Sequence, residues 1–160
     1  MQQEKLEFSA EFLLYLIEKE ASKLKKDTSK IFIGGLDQGA AVSLAAFLKF
    51  KGKKPLGGVI GLSGMQGLNY TQSISFDNST EKKRVEENRK DTPMFLYHGT
   101  EDAKLPLKGS AASYDYLKNK VYKGSDKIEF MVEEDLGSEI SEEEWFQMGK
   151  FIHKLTKESQ

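Results

Sequence analysis

The spacing of apolar positions changes from one segment of the chain to the next. Leu6, Ala10, Leu13, Ile17, Ala21 and Leu24 recur at helical intervals and predict a first helix over roughly 8–26. Short, nearly continuous apolar runs at 31–35, 57–63 and 93–98 read as strands covered on both faces. The run at 127–133 alternates instead, with Ile128, Phe130 and Val132 to one side and Glu129 and Glu133 to the other, as in an edge strand with one wet face. Helical patterns at 38–50, 107–121 and 142–157 separate or follow these runs. In the last, Ser141 and Glu144 have the spacing of a capping box, and Trp145, Met148, Ile152 and Leu155 are the expected buried stripe. Regular helix–strand alternation with short connections predicts an α/β fold, a sheet of about four parallel strands in the order 31–35, 59–62, 94–97, 127–133 with flanking helices.

Two features depart from that regularity. Residues 66–92 form a polar, charge-rich insertion within what otherwise reads as a single domain spanning 1–160; the second half of the insertion has the character of a short solvated helix. Phe8, Phe12 and Tyr15 repeat on the side of the first helix away from its core stripe. That leaves an aromatic stripe to be covered either by another part of the chain or by a protein partner.

Composition narrows the chemistry. Of 160 residues 31% are charged and 38% hydrophobic, and the net charge is −1, which gives no footprint for nucleic acid. The chain has no cysteine and only two histidines, so disulfides, thiolate chemistry and a metal site are not expected, nor is any cofactor. The N-terminal residues lack the layout of a secretion signal, and no apolar run reaches spanning length. The expectation is an intracellular, cytoplasmic protein without direct membrane insertion. The sequons at Asn69 and Asn78 are then chance matches in a polar segment.

The stretch "KIFIGGLDQGAAVSLAAF" carries the candidate site. A strand, a glycine-lined turn and a small-residue helix form the frame of a nucleophile elbow, G-x-S-x-G, with Gly35 and Gly39 flanking the central position. The central residue here is Asp37. Aspartate is also a favoured helix N-cap, and such a turn needs no catalysis.

In combination, "IFIGGLDQGAAVSLAAFLKF", "PLGGVIGLSGMQGL", "TPMFLYHGTEDAKLPL" and the terminal "FIHKL" resemble, in order, the segments of the phospholipase/carboxylesterase family of α/β-hydrolases, which includes the acyl-protein thioesterases. The resemblance spans about 8–157 and diverges over 69–92. It implies that Asp37 occupies the nucleophile position, Asp102 that of the triad acid, and Ser138 lies near that of the triad histidine. His98 matches a position the family commonly fills with a structural histidine, and His153 falls on the solvent side of the last helix. Relative to the family pattern the chain starts about one helix before the elbow. The early strands, and the loop that supplies one oxyanion-hole N–H, are therefore expected to be missing, leaving a partial α/β-hydrolase fold with strand 31–35 at an edge. The resemblance thus implies a catalytically inactive member acting as a structural or interaction subunit of a larger assembly, through protein partners or self-association. The alternative is an esterase or acyl-protein thioesterase with a remodelled site built on Asp37, Asp102 and His98.

Overall fold

The four apolar runs pair into one parallel sheet. The computed structural model describes residues 3–64 and 74–158, so the segment 65–73 of the polar insertion, including the Asn69 sequon, lies outside the described residues. Along the chain come α1 (Gln3–Lys23), β1 (Phe32–Leu36), α2 (Gln38–Lys49), β2 (Gly58–Leu62), α3 (Ser79–Asp91), β3 (Met94–Gly99), α4 (Leu107–Tyr116), β4 (Ile128–Glu133) and α5 (Glu142–Glu158). The strand order β1-β2-β3-β4 and the parallel pairing are those expected from the sequence.

Side chains of opposite parity cover the two faces of the sheet. Ile33, Val59, Met94, Leu96 and Ile128 meet Leu6, Ala10 and Ile17 of α1 and Leu44, Phe47 and Leu48 of α2. Ile60, Leu62, Phe95 and Tyr97 meet Phe151 of α5, with Met148, Ile152 and Leu155 partly buried beside them. Both central strands are buried along their whole length. β1, by contrast, is an edge strand on which Gly34 and Leu36 are exposed.

Several details differ from expectation. Trp145 is 56% exposed, whereas Glu144 and Phe151 are buried. The inward stripe of α5 therefore runs 144, 148, 151, 152, 155, and Trp145 stands about 100° around the helix from it. Only half of the capping box forms. Ser141 Oγ accepts the Glu144 N–H at 3.0 Å, but neither oxygen of the Glu144 carboxylate has a hydrogen-bond partner. On β4, Val132 is exposed rather than inward with Ile128. Glu133 is drawn in by hydrogen bonds from Tyr97 Oη (2.5 Å) and Ser141 Oγ (2.6 Å), which hold its carboxyl below the ordinary range. The helix predicted over 107–121 passes from α-helix into a π-helical turn at Leu117–Val121.

The polar segment before β3 contributes α3. Asn78 caps it, its side chain accepting the Glu81 N–H at 2.8 Å, and Val85 anchors it in the core. Among the described residues no helix is long and apolar enough to cross a membrane.

Candidate functional site

Asp37 sits between the carboxyl end of β1 and the first turn of α2, the end of a parallel sheet where loops converge. Its backbone adopts φ 53°, ψ −120°, a region that L-residues avoid. The surroundings impose this turn. The Asp37 N–H donates to Leu62 O at 3.0 Å, and the Ala40 N–H donates back to Asp37 O at 3.1 Å. A Cβ on Gly35 would stand 2.1 Å from the Gly39 carbonyl carbon, so close passage of strand and helix requires glycine there. Gly39 differs from expectation, because a Cβ on it would meet nothing within 4 Å. The second glycine that the turn needs is Gly64, whose Cβ would fall 2.0 Å from Asp37 O. Its signal in the sequence was a small residue directly after a buried strand.

Asp37 does not act as an N-cap. Its side chain makes no capping hydrogen bond, and Oδ1 is buried without a partner. The carboxylate is thus held at the tip of a strained turn, beside the N–H of Gln38, which as the first of α2 has no acceptor within the helix. A strained tip followed by the first N–H of a helix is the backbone arrangement of an elbow.

Asp102 lies in the turn after β3 and is buried. Oδ1 accepts the N–H groups of Lys104 (3.0 Å) and Leu105 (2.9 Å). Oδ2 is buried and has no hydrogen-bond partner. The loop that carries Ser138 lies against this turn. Glu101 N–H donates to Leu136 O at 2.9 Å, Asp135 N–H donates to Thr100 Oγ1 at 2.9 Å, and a Cβ on Gly99 would touch Leu136 O. The orphaned oxygen of Asp102 thus belongs to a turn that packs on the segment carrying Ser138.

His98 does not fill that role. At 0% exposure its ring is fully buried. Nε2 donates to Leu105 O at 2.7 Å and Nδ1 accepts from Ser110 Oγ at 2.9 Å, so both nitrogens are committed. Its Nε2 stands 3.8 Å from Asp102 Oδ2, beyond hydrogen-bond reach. His98 ties the β3 end to α4 instead. Ser110 was not singled out from the sequence, since nothing in "LKGSAASYDY" distinguishes one serine from another. Ser63, at the end of β2, was missed as well. It holds φ 48°, and its hydroxyl is buried without a partner. Asp37, Ser63 and Asp102 thus place unpartnered oxygens at the same end of three adjacent strands, an arrangement characteristic of sites rather than of cores.

His153 is exposed on α5, remote in the chain from all of these. Phe8, Phe12 and Tyr15 are 75%, 56% and 55% exposed on α1, with Phe12 and Tyr15 stacked at 6.2 Å between ring centroids. Among the described residues no three His, Asp or Glu side chains are grouped to hold a metal ion.

Comparison with known proteins decides the family. Residues 1–156 match the model of the phospholipase/carboxylesterase family. The chain belongs to that family. It is 34% identical over 139 residues to acyl-protein thioesterase 1 homolog 1 of Dictyostelium discoideum, covering 87% of this chain and 54% of that protein. Among solved structures it superposes on Arabidopsis thaliana SOBER1 with a TM-score of 0.76 at 27% identity, covering 98% of this chain and 67% of the other. The acyl-protein thioesterase 2 of Zea mays shares the fold, with a TM-score of 0.70 at 20% identity over 91% of this chain and 65% of the other. This family member spans about half the length of the curated relatives it matches.

Proposed function

We propose that this chain is a non-catalytic member of the phospholipase/carboxylesterase family that serves as a structural or interaction subunit of a larger assembly. One observation carries the reading: the elbow presents a carboxylate, and the buried Asp102 Oδ2 has no imidazole within hydrogen-bond reach, His98 Nε2 standing 3.8 Å away. Acyl transfer by a serine hydrolase needs a hydroxyl, a base to take its proton and an acid to hold the base. On the resemblance, the nucleophile position falls on Asp37, the acid on Asp102 and the histidine near Ser138, so only the acid is kept. A carboxylate attacking an acyl thioester would form a mixed anhydride, whose breakdown needs water activated by a base. His98, with both nitrogens engaged, is not that base. The interaction role rests on the outer position of β1 among the described strands and on the exposed aromatic stripe of α1, surfaces of kinds that folded proteins usually keep covered.

The test is hydrolysis of an activated octanoyl ester and an octanoyl thioester by the purified chain, the Asp37→Ala variant and the Asp37→Ser variant. Turnover is expected to equal background in all three, since serine at 37 still lacks a base. Turnover by the parent that disappears in Asp37→Ala would overturn the non-catalytic reading and support an esterase or thioesterase remodelled around Asp37.

A further inference from the structure

A cleft lies at the far end of α2. It has a volume of about 610 Å3 and is walled by the C-terminal turns of α1 and α2 and the segment 50–53. α2 begins directly after Asp37 and runs 12 residues, so about 18 Å of helix separates the elbow from this cleft. The cleft is therefore distinct from the site already described. Its size falls within the 300–1,000 Å3 usual for small-molecule sites.

The lining is amphiphilic. Leu14, Ile17, Ala21 and Phe50 give it an apolar floor, and Lys26, Lys49, Lys51 and Lys53 a basic rim, against the single carboxylate of Glu18. Two of the lysines are already engaged. Lys49 pairs with Glu11 at 3.5 Å, while Lys51 donates to Ser75 O at 2.5 Å and lies 3.9 Å from Glu81. Lys26 and Lys53 have no ion pair among the described residues and are exposed at the rim.

The walls are fixed in place. Three α3 side chains hold carbonyls of the last turn of α2 and of the loop after it: Arg89 donates to Leu48 O, Arg84 to Lys51 O at 3.0 Å, and Asn88 to Gly52 O at 2.9 Å. A Cβ on Gly52 would stand 2.2 Å from the tip of the Phe50 ring, so the missing side chain makes room for the ring. At the other wall Lys26 follows the end of α1 at φ 63°, and its N–H donates to Ala21 O at 2.8 Å, which fixes the backbone there.

We propose that this cleft binds a single-chain amphiphile with an anionic head group, the chain lying on Leu14, Ile17 and Phe50 and the head group meeting Lys26 and Lys53. The shared chemistry is a carboxylate or phosphate joined to an alkyl tail. An apolar tail alone leaves the rim charges unmatched, and a bare anion leaves the floor unfilled.

Calorimetric titration of the full chain below micellar concentrations tests this. The probes are sodium dodecanoate, dodecyl phosphate, dodecyltrimethylammonium, acetate and inorganic phosphate. Saturable 1:1 binding of dodecanoate or dodecyl phosphate is expected, and the tighter of the two identifies the head group. The cationic amphiphile and the tail-less anions should bind at least tenfold more weakly. Lys26→Glu with Lys53→Glu should weaken the preferred probe at least tenfold, and the Lys26→Gln, Lys53→Gln pair should do so in the same direction with the fold unperturbed by circular dichroism. Lys150→Glu with Lys154→Glu, on the exposed side of α5, should leave binding unchanged. The proposal is overturned by absence of saturable binding to both anionic amphiphiles, by equal binding of the cationic one, by inorganic phosphate binding as tightly, or by indifference to the Lys26 and Lys53 changes.

Discussion

Replacing Asp37 with glycine and, separately, with alanine isolates what the elbow costs this chain. At φ 53°, ψ −120° an L-residue is strained by about 1–3 kcal/mol. Alanine keeps that strain while removing the carboxylate and its unpartnered Oδ1. Glycine removes both, but adds unfolded-chain entropy of about 0.5–1 kcal/mol. The difference between the two variants is therefore strain minus entropy, and glycine should be the more stable by about 1–2 kcal/mol. In most folded contexts the order is the reverse. For a chain of this size each kcal/mol moves the midpoint by about 2–4 °C, so Asp37→Gly should melt roughly 2–8 °C above Asp37→Ala. Urea denaturation followed by circular dichroism checks the same difference at 25 °C. Equal stabilities, or alanine above glycine, would mean that position 37 does not hold an elbow conformation in solution, and the account of the site would lose its foundation.

Other expectations concern Glu144 and the surface of α1. Burial holds the Glu144 carboxyl above its ordinary value of 4.5, so its ionisation opposes folding. That penalty is fully present above the raised value and gone below 4.5, so Glu144→Gln should stabilise the chain by about 1 kcal/mol at pH 7 and converge with the parent near about pH 4 in urea titrations. Glu133 has the opposite sign, since its depressed value contributes stability at neutral pH that is lost on acidification, and Ser141→Ala should flatten that acid limb. Phe8→Ser with Phe12→Ser should leave the melting temperature within about 2 °C of the parent but weaken recovery of the native assembly in pull-downs by roughly 100-fold in affinity, equivalent to about 3 kcal/mol of apolar burial. Unchanged recovery would remove the aromatic stripe from the interaction reading.

The sheet was legible because β2 and β3 are short, uninterrupted apolar runs, as strands covered on both faces are, and helical patterns alternate with the strands. The elbow was legible because glycines flank its centre. What escaped sequence reading has a common cause: it depends on partners from elsewhere in the chain. Glu144 inside and Trp145 outside invert ordinary hydropathy, and only the packing of α5 on Phe95 and Tyr97 fixes the rotation. Commitment of both His98 nitrogens required Ser110 and Leu105 to fold over the strand end. Nothing in "LKFKGKK" marks a cleft; α3 side chains holding the carbonyls of Leu48, Lys51 and Gly52 set Lys49, Lys51 and Lys53 beside an apolar floor.

The spatial order of the strands is also their order along the chain, so no crossover has to pass over an earlier strand. Each strand docks on the one made just before it, which keeps contacts local and the entropy of each closure small. A sheet built this way has a growth direction. Among the described residues the glycine-containing β1 and the half-wet β4 are its two outer rails, and a strand added at either would leave the pairings already formed intact.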